Sequence, residues 1–275
     1  MNRPTSYYIA GEHPYPENEL ARLNTQVAVS WDKELRIMRT FGLRPDSDVL
    51  EVGSGPGFVT RLLLDAVPEG TVTCLELEQE LLGHAREYLG DFVGDQVTLL
   101  NGSVLDYPLP EASADIAFAR LVLQHVPQPV TALENIHKAL RPGGRVVITD
   151  IDDGVWGMID PDPGLAALDE VLRLRIELQK SRGGNRLIGR ELPRMLRAAG
   201  FTDIKVEALA VSTDEYGMPA LAPQLNFRSR TAAMVAANPA AAQACEELAD
   251  AVDEWMQSPL SSMIMLMFMF SGVKE

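Results

Sequence analysis

The sequence predicts an α/β fold around an open, mostly parallel sheet, on three observations. Asp48-Val-Leu-Glu-Val-Gly-Ser-Gly-Pro-Gly57 runs from a short apolar strand into three glycines, and Phe58–Ala66 then opens a helix. Strand, glycine turn and helix N-terminus together aim backbone N–H groups at a ligand. Apolar runs alternate with helical periodicity through residues 48–150, the rhythm of parallel strands joined by crossover helices. Met263–Phe270 is apolar on both faces, as a strand buried on both sides must be.

The details of the turn narrow its ligand. A dinucleotide fingerprint needs a glycine where Phe58 stands, and a phosphate-binding loop needs a Gly-Lys-Ser/Thr run that is missing. Glu51, two residues before the first glycine, would repel a pyrophosphate and suits a ligand carrying positive charge. Glu51-Val-Gly-Ser-Gly-Pro-Gly57 closely resembles the first motif of the class I S-adenosylmethionine-dependent methyltransferases, in particular the bacterial small-molecule type; the alternative is a tight turn that binds nothing. The resemblance implies a Rossmann-like, seven-stranded, mostly parallel sheet with an antiparallel last strand and a helical lid. It also implies that Glu51, Gly53, Ser54, Gly55 and Gly57 hold S-adenosylmethionine.

Taken in order, residues 1–16 hold Pro4, Gly11, Pro14 and Pro16 and predict irregular chain; Tyr7 and Tyr8 either anchor this arm or join a lid. Leu20, Leu23, Val27, Trp31, Leu35 and Met38 recur at helical spacing, predicting one helix from Glu17. Glu19–Gln26 is similar to the segment before the core of the small-molecule enzymes, where Gln26 would face the cofactor; otherwise it sits on a solvated face. The second strand, Val72–Leu77, ends at Glu76, and a carboxylate at that tip can accept hydrogen bonds from a ribose diol. The family's ribose-binding acid falls on Glu76, next to Leu77. Glu78 either joins it or begins the next helix, with Leu81, Leu82, Ala85 and Leu89 inward.

Val97–Val104 gives the third strand and its exit. An Asp commonly follows Gly102 in the family; Ser103 replaces it here, so its hydroxyl or the Val104 N–H is left for the adenine edge. Ala114–Arg120 matches the fourth strand, whose tip at Arg120 borders the methyl donor. After Leu121–Val126 comes a helix with Val130, Leu133, Ile136 and Leu140 on one face, then a type II turn at Arg141-Pro-Gly-Gly144 and a fifth strand to Asp150.

Beyond Asp150 the predicted loop is acidic, with Asp152, Asp153, Asp160 and Asp162, followed by a helix near Leu165–Gln179, another over 190–200, a sixth strand Ile204–Val211 and an acidic helix Ala241–Met256. The organisation expected is an N-terminal helical cap at 1–43, a cofactor-binding core at 44–150 and a lid insertion at 151–190. The core then continues over 191–212, a second helical insertion covers 213–258, and the last strand lies in 259–275, antiparallel between the fifth and sixth. Its methionines are expected in the core.

Methyl transfer asks for alignment and exclusion of water, sometimes for a base, and for no covalent nucleophile. His125 is either that base or a packing residue beneath the cofactor. Tyr8, Asp152 and Trp156 are the candidates on the acceptor side, Asp150 and Asp153 lying close by. Ala119-Arg120 at the fourth tip lacks the carboxylate of metal-dependent catechol enzymes, so no metal is expected. The Asn-Pro-Pro-Tyr and Pro-Cys elements of base-methylating enzymes are missing too. A small-molecule acceptor remains, a secondary metabolite methylated on O, N or C. Two other readings stay open: a methyltransferase-like protein that uses S-adenosylmethionine to organise a different reaction, and a nicotinamide-dependent oxidoreductase.

Composition agrees. With 275 residues, 46% hydrophobic and 23% charged, the chain is an ordinary globular protein. Its 39 acids against 24 bases give a formal charge of −15, which opposes nucleic-acid binding. Cys74 and Cys245 have no metal-ligand spacing. The N-terminus lacks a signal peptide's apolar core, and Met263–Phe270 is too short to span a bilayer, so a cytoplasmic location without a membrane partner is expected. Oligomeric state is not legible.

Overall fold

Val49–Val52 (β1) has a parallel neighbour on each edge, Val72–Glu76 (β2) on one and Ala114–Arg120 (β4) on the other, which puts the glycine turn at the middle of the sheet. The computed structural model describes residues 16–161 and 165–275; Tyr7, Tyr8 and Asp162 lie outside them. Val97–Asn101 (β3) pairs β2, and Leu140–Asp150 (β5) pairs β4, both parallel. Ser262–Val273 (β8) then runs antiparallel to β5 and to Thr202–Ser212 (β7). The order β3-β2-β1-β4-β5-β8 reverses direction between β1 and β4, the switch point at which open α/β sheets bind ligands.

Strand alternation divides the core between two faces. Val49, Phe118 and Val147 pack with Leu63, Leu64 and Met38 on one side; Leu50, Ala117 and Ile148 pack with Leu133, Ile136 and Leu196 on the other. Phe58–Ala66 (α3), Gln79–Leu89 (α4), Pro129–Ala139 (α5) and Ile188–Ala198 (α7) supply these facing stripes. Leu63, Phe118 and Leu133 are completely buried, each contributing roughly 1.5–3 kcal/mol by removal from water. The predicted type II turn is present in its essential feature, Gly143 at φ +80°.

Two expectations need correction. The single helix from Glu17 is two, Pro16–Ala28 (α1) and Trp31–Thr40 (α2). The break falls at Ser30, whose hydroxyl donates to Glu34 Oε1 at 2.6 Å, with the Gln26 carbonyl 3.2 Å from the same Oγ. Glu34 points inward and is wholly buried, which apolar spacing could not reveal. The sheet also has an eighth strand, Gly157–Asp160 (β6), where an acidic loop was expected. β7 occupies one edge of β8, β5 takes residues 268–273 on the other, and β6 takes 262–265 beyond it. Spare hydrogen-bonding edge on β8 thus orders a four-residue strand. Between β5 and β6, residues 151–156 loop out at the strand tips.

The remaining helices are Leu165–Ser181 (α6), Thr213–Tyr216 (α8), Met218–Leu225 (α9), Phe227–Ala237 (α10) and Ala242–Met256 (α11). Among the described residues, no helix is long and apolar enough to cross a membrane.

Candidate functional site

The turn after β1 has the backbone that only glycine adopts readily. Gly53 and Gly55 sit at φ +68° and +57°, and a Cβ on Gly53 would stand 2.5 Å from Val122 Cγ2. At Gly55 a Cβ would meet nothing within 4 Å, so this part of the loop faces open space. Gly57 is turned elsewhere; it caps α3 at φ +85° against Ala85. From the tip of β2, Glu76 Oε2 accepts the Gly55 N–H at 2.8 Å and Oε1 accepts the Glu78 N–H at 2.9 Å. The carboxylate is thereby locked in place, with lone pairs left over. Burial pushes its pKa up despite these bonds.

The open space is a cavity of about 440 Å³. Glu51, Gly53, Ser54, Gly55, Glu76 and Leu77 line one end, with Gly102, Ser103 and Val104 beside them. Gln26, Arg120, His125 and Trp156 line it further along. Asp152 does not: its oxygens accept Arg190 Nε and Nη2 at 2.6 Å each, and the Gly154 N–H at 2.9 Å. The neighbouring Asp153 lines the cavity in its stead. Asp150, at the β5 tip, is tied to the Gln124 and Ile151 N–H groups at 3.2 and 3.0 Å, and burial raises its pKa to about 7.

Within the cavity wall the partners differ. Glu51 Oε2 accepts the Thr60 hydroxyl at 2.6 Å, and burial pushes its pKa up to about 8; a nearby cation would favour the charged form again. Ser103 Oγ accepts the Leu105 N–H at 3.2 Å, a local turn contact that uses one lone pair. Gln179 Nε2 donates to the Gln124 carbonyl at 3.1 Å and lies 3.0 Å from His125 Nδ1. With one N–H of Gln179 directed at that carbonyl, the other faces His125 Nδ1.

Residues 50–148 match the model of a family described as methyltransferase domain. An uncharacterised 37.1 kDa protein of transposon TN4556 from Streptomyces fradiae is 33% identical over 159 residues, 58% of this chain and 44% of that one. Residues 50–148 are a methyltransferase domain. An arsenite methyltransferase of Halobacterium salinarum is 29% identical over 40% of this chain and 28% of its own. The chain therefore spans less than half the length of these two relatives. In three dimensions, phosphoethanolamine N-methyltransferase 2 of Haemonchus contortus, solved with phosphomonomethylethanolamine and S-adenosylhomocysteine, superposes with a TM-score of 0.56. It covers 89% of this chain and 52% of the other at 21% identity, a likeness of fold.

S-adenosylmethionine is the cofactor of such a methyltransferase domain, and the residues here fit it. Ser54 Oγ is buried without a hydrogen-bond partner, open space lies over Gly55, and Glu76 stands fixed beside it. Sequence reasoning missed most of the wall opposite: Arg22, Gln124, Arg175, Gln179, Arg182 and Arg186. Met265 and Met267, expected only in the core, also line the domain's cavity. One signal was available. Arg175 continues the helical series Leu168, Val171 and Leu172, so a cation occupies a position on an apolar stripe. Among the described residues no group of three or more His, Cys, Asp or Glu could hold a metal ion.

Proposed function

We propose that this protein transfers a methyl group from S-adenosylmethionine to O, N or C of a small molecule, a secondary metabolite, in the cytoplasm and without nucleic-acid or membrane partners. The observation that carries the reading is one continuous cavity joining the glycine turn, Glu76 and Ser103 to a second wall made by Trp156, Leu178, Gln179 and Met265. Glu76 would bind the ribose, and Ser54 and the Gly53–Gly55 backbone the amino-acid part. The Val104 N–H would meet the adenine. When bound, the cofactor supplies an electrophilic methyl group on a positively charged sulfur. The chain's own contribution is to align the acceptor and exclude water. Helices α1, α6, α9 and α10 each place a residue in the cavity wall, which supports segments 1–43, 151–190 and 213–258 as cap and lid. His125 acts as a positioning residue rather than a base, since its Nδ1 is occupied by Gln179. Cys74 and Cys245 are buried and neither lines the cavity, so thiolate capture of arsenite has no residue to carry it.

The test is incubation of the full chain with methyl-labelled S-adenosylmethionine and a metabolite pool. Label in one or a few small molecules, with matching S-adenosylhomocysteine, is expected. Cofactor binding with no S-adenosylhomocysteine from any pool would instead favour a protein that organises another reaction. A thermal shift with a nicotinamide cofactor and none with S-adenosylmethionine would refute both.

A further inference from the structure

The cavity wall across from the glycine turn carries a guanidinium nitrogen that the fold leaves without a hydrogen-bond partner. Arg175 of α6 is half-buried and lines the cavity, and its Nη1 is buried with no hydrogen-bond partner. Desolvation, with the positive charges of Arg186 and Arg22, drives its pKa down to about 10. The carboxylate that acts on it from nearby, Asp153, is already committed: Arg186 Nη2 donates to its Oδ1 at 3.0 Å and Arg186 Nε to its Oδ2. Arg186 Nη1 in turn donates to Gln124 Oε1 at 3.1 Å. A guanidinium nitrogen buried without a hydrogen-bond partner is an unfavourable placement. Such groups are retained where a ligand completes them.

Beside these polar groups the wall carries an apolar set, Trp156, Leu178, Met234, Met265 and Met267. We infer that the acceptor is an amphipathic anion whose carboxylate or phosphate is held by Arg175 while its apolar body packs against Trp156 and Met265. This deepens, and rests on, the methyltransferase reading above. A guanidinium presents a planar fork that pairs with either anion, and burial in an apolar wall strengthens the pairing. The chain as a whole carries a formal charge of −15, so attraction of an anion has to come from this local cluster and not from the surface field. The anion is a recognition handle: with its lone pairs held by the fork, a second nucleophilic atom of the same molecule takes the methyl group.

Equilibrium binding to the full chain, saturated with S-adenosylhomocysteine, tests this with three probes of similar shape: phenylacetate, phenyl phosphate and the neutral phenylacetamide. S-adenosylhomocysteine binding is measured first, and its absence would overturn the methyltransferase reading itself. At least one anion should bind about tenfold or more tighter than the amide, and the favoured anion assigns the handle as carboxylate or phosphate. In Arg175→Met the preference should shrink to less than about threefold, with S-adenosylhomocysteine affinity retained. The ligand-free variant should also melt at a higher temperature, because a guanidinium with a buried, unbonded nitrogen has been replaced by an apolar side chain. Equal affinity for all three probes, an anion preference that survives Arg175→Met, or a lower melting temperature would each overturn the inference.

Discussion

Arg120 Nε, at the tip of β4, donates to both carboxylate oxygens of Glu34 in α2, at 3.0 and 3.1 Å. Its Nη2 donates to the Gln26 carbonyl at 3.1 Å and to Ser30 Oγ at 2.9 Å, while the Thr149 hydroxyl donates to Glu34 at 2.9 Å. Glu34 is wholly buried. A cavity-lining residue is therefore also the clamp that fastens the N-terminal helices to the strand tips, reaching them on both sides of the break between α1 and α2.

The clamp predicts a large stability effect from a residue that does not line the cavity. Glu34→Ala would leave Arg120 buried beside uncompensated donors and should cost about 3–5 kcal/mol in urea unfolding. Glu34→Gln, which can still accept from Ser30 or Arg120, should cost less. A loss below about 1 kcal/mol for the alanine variant would show that water replaces the carboxylate freely.

Stability should fall as pH rises toward 8. Glu51 and Asp150 have folded-state pKa values of about 8 and about 7, against ordinary values of 4.5 and 3.8. Each holds its proton more tightly folded than unfolded, so their contribution is complete below the ordinary values and lost through the folded ones. One such group gives a slope of at most about 1.4 kcal/mol per pH unit. His137, whose pKa burial lowers from 6.5, works in the opposite sense only below that value. Between pH 7 and 8 the slope is mainly that of Glu51, and Glu51→Gln should flatten it. Chemical denaturation across this window checks it; an unchanged slope in the variant would place the titration elsewhere.

His125→Asn should leave the shape of the pH–rate profile intact, because the asparagine carbonyl can still accept from Gln179. The rate should change by less than about tenfold. A fall of roughly a hundredfold to ten-thousandfold with normal cofactor affinity, and loss of a limb near pH 6–7, is the signature of a general base and would contradict the positioning role.

What was legible in the sequence follows a physical division. β1 and its glycines, the acid at the end of β2 and the doubly buried β8 are written in local chemistry: side-chain period, positive φ, apolar runs. β6 is not, since Gly157-Met-Ile-Asp160 has no strand signature and Met158 is exposed; the unused edge of β8 makes it a strand. The neighbours Asp152 and Asp153 are indistinguishable in sequence. They part because Arg190 claims one and Arg186 the other, from segments more than thirty residues later. The Ser30 break was hidden because apolar spacing continues across it. Arg175 was readable and overlooked, a cation on an apolar stripe.

The central claim is that the cofactor lies along the glycine turn with its ribose on Glu76, and calorimetric titration of S-adenosylmethionine into the native chain, Glu76→Ala and Ser103→Ala tests it most directly. Glu76→Ala removes a fixed, charged acceptor and should weaken binding by about 1.5–3 kcal/mol. Ser103→Ala, whose hydroxyl already serves its own turn, should weaken it by about 1 kcal/mol or less. Undiminished affinity in Glu76→Ala, or a larger loss in Ser103→Ala, would contradict the placement of the cofactor.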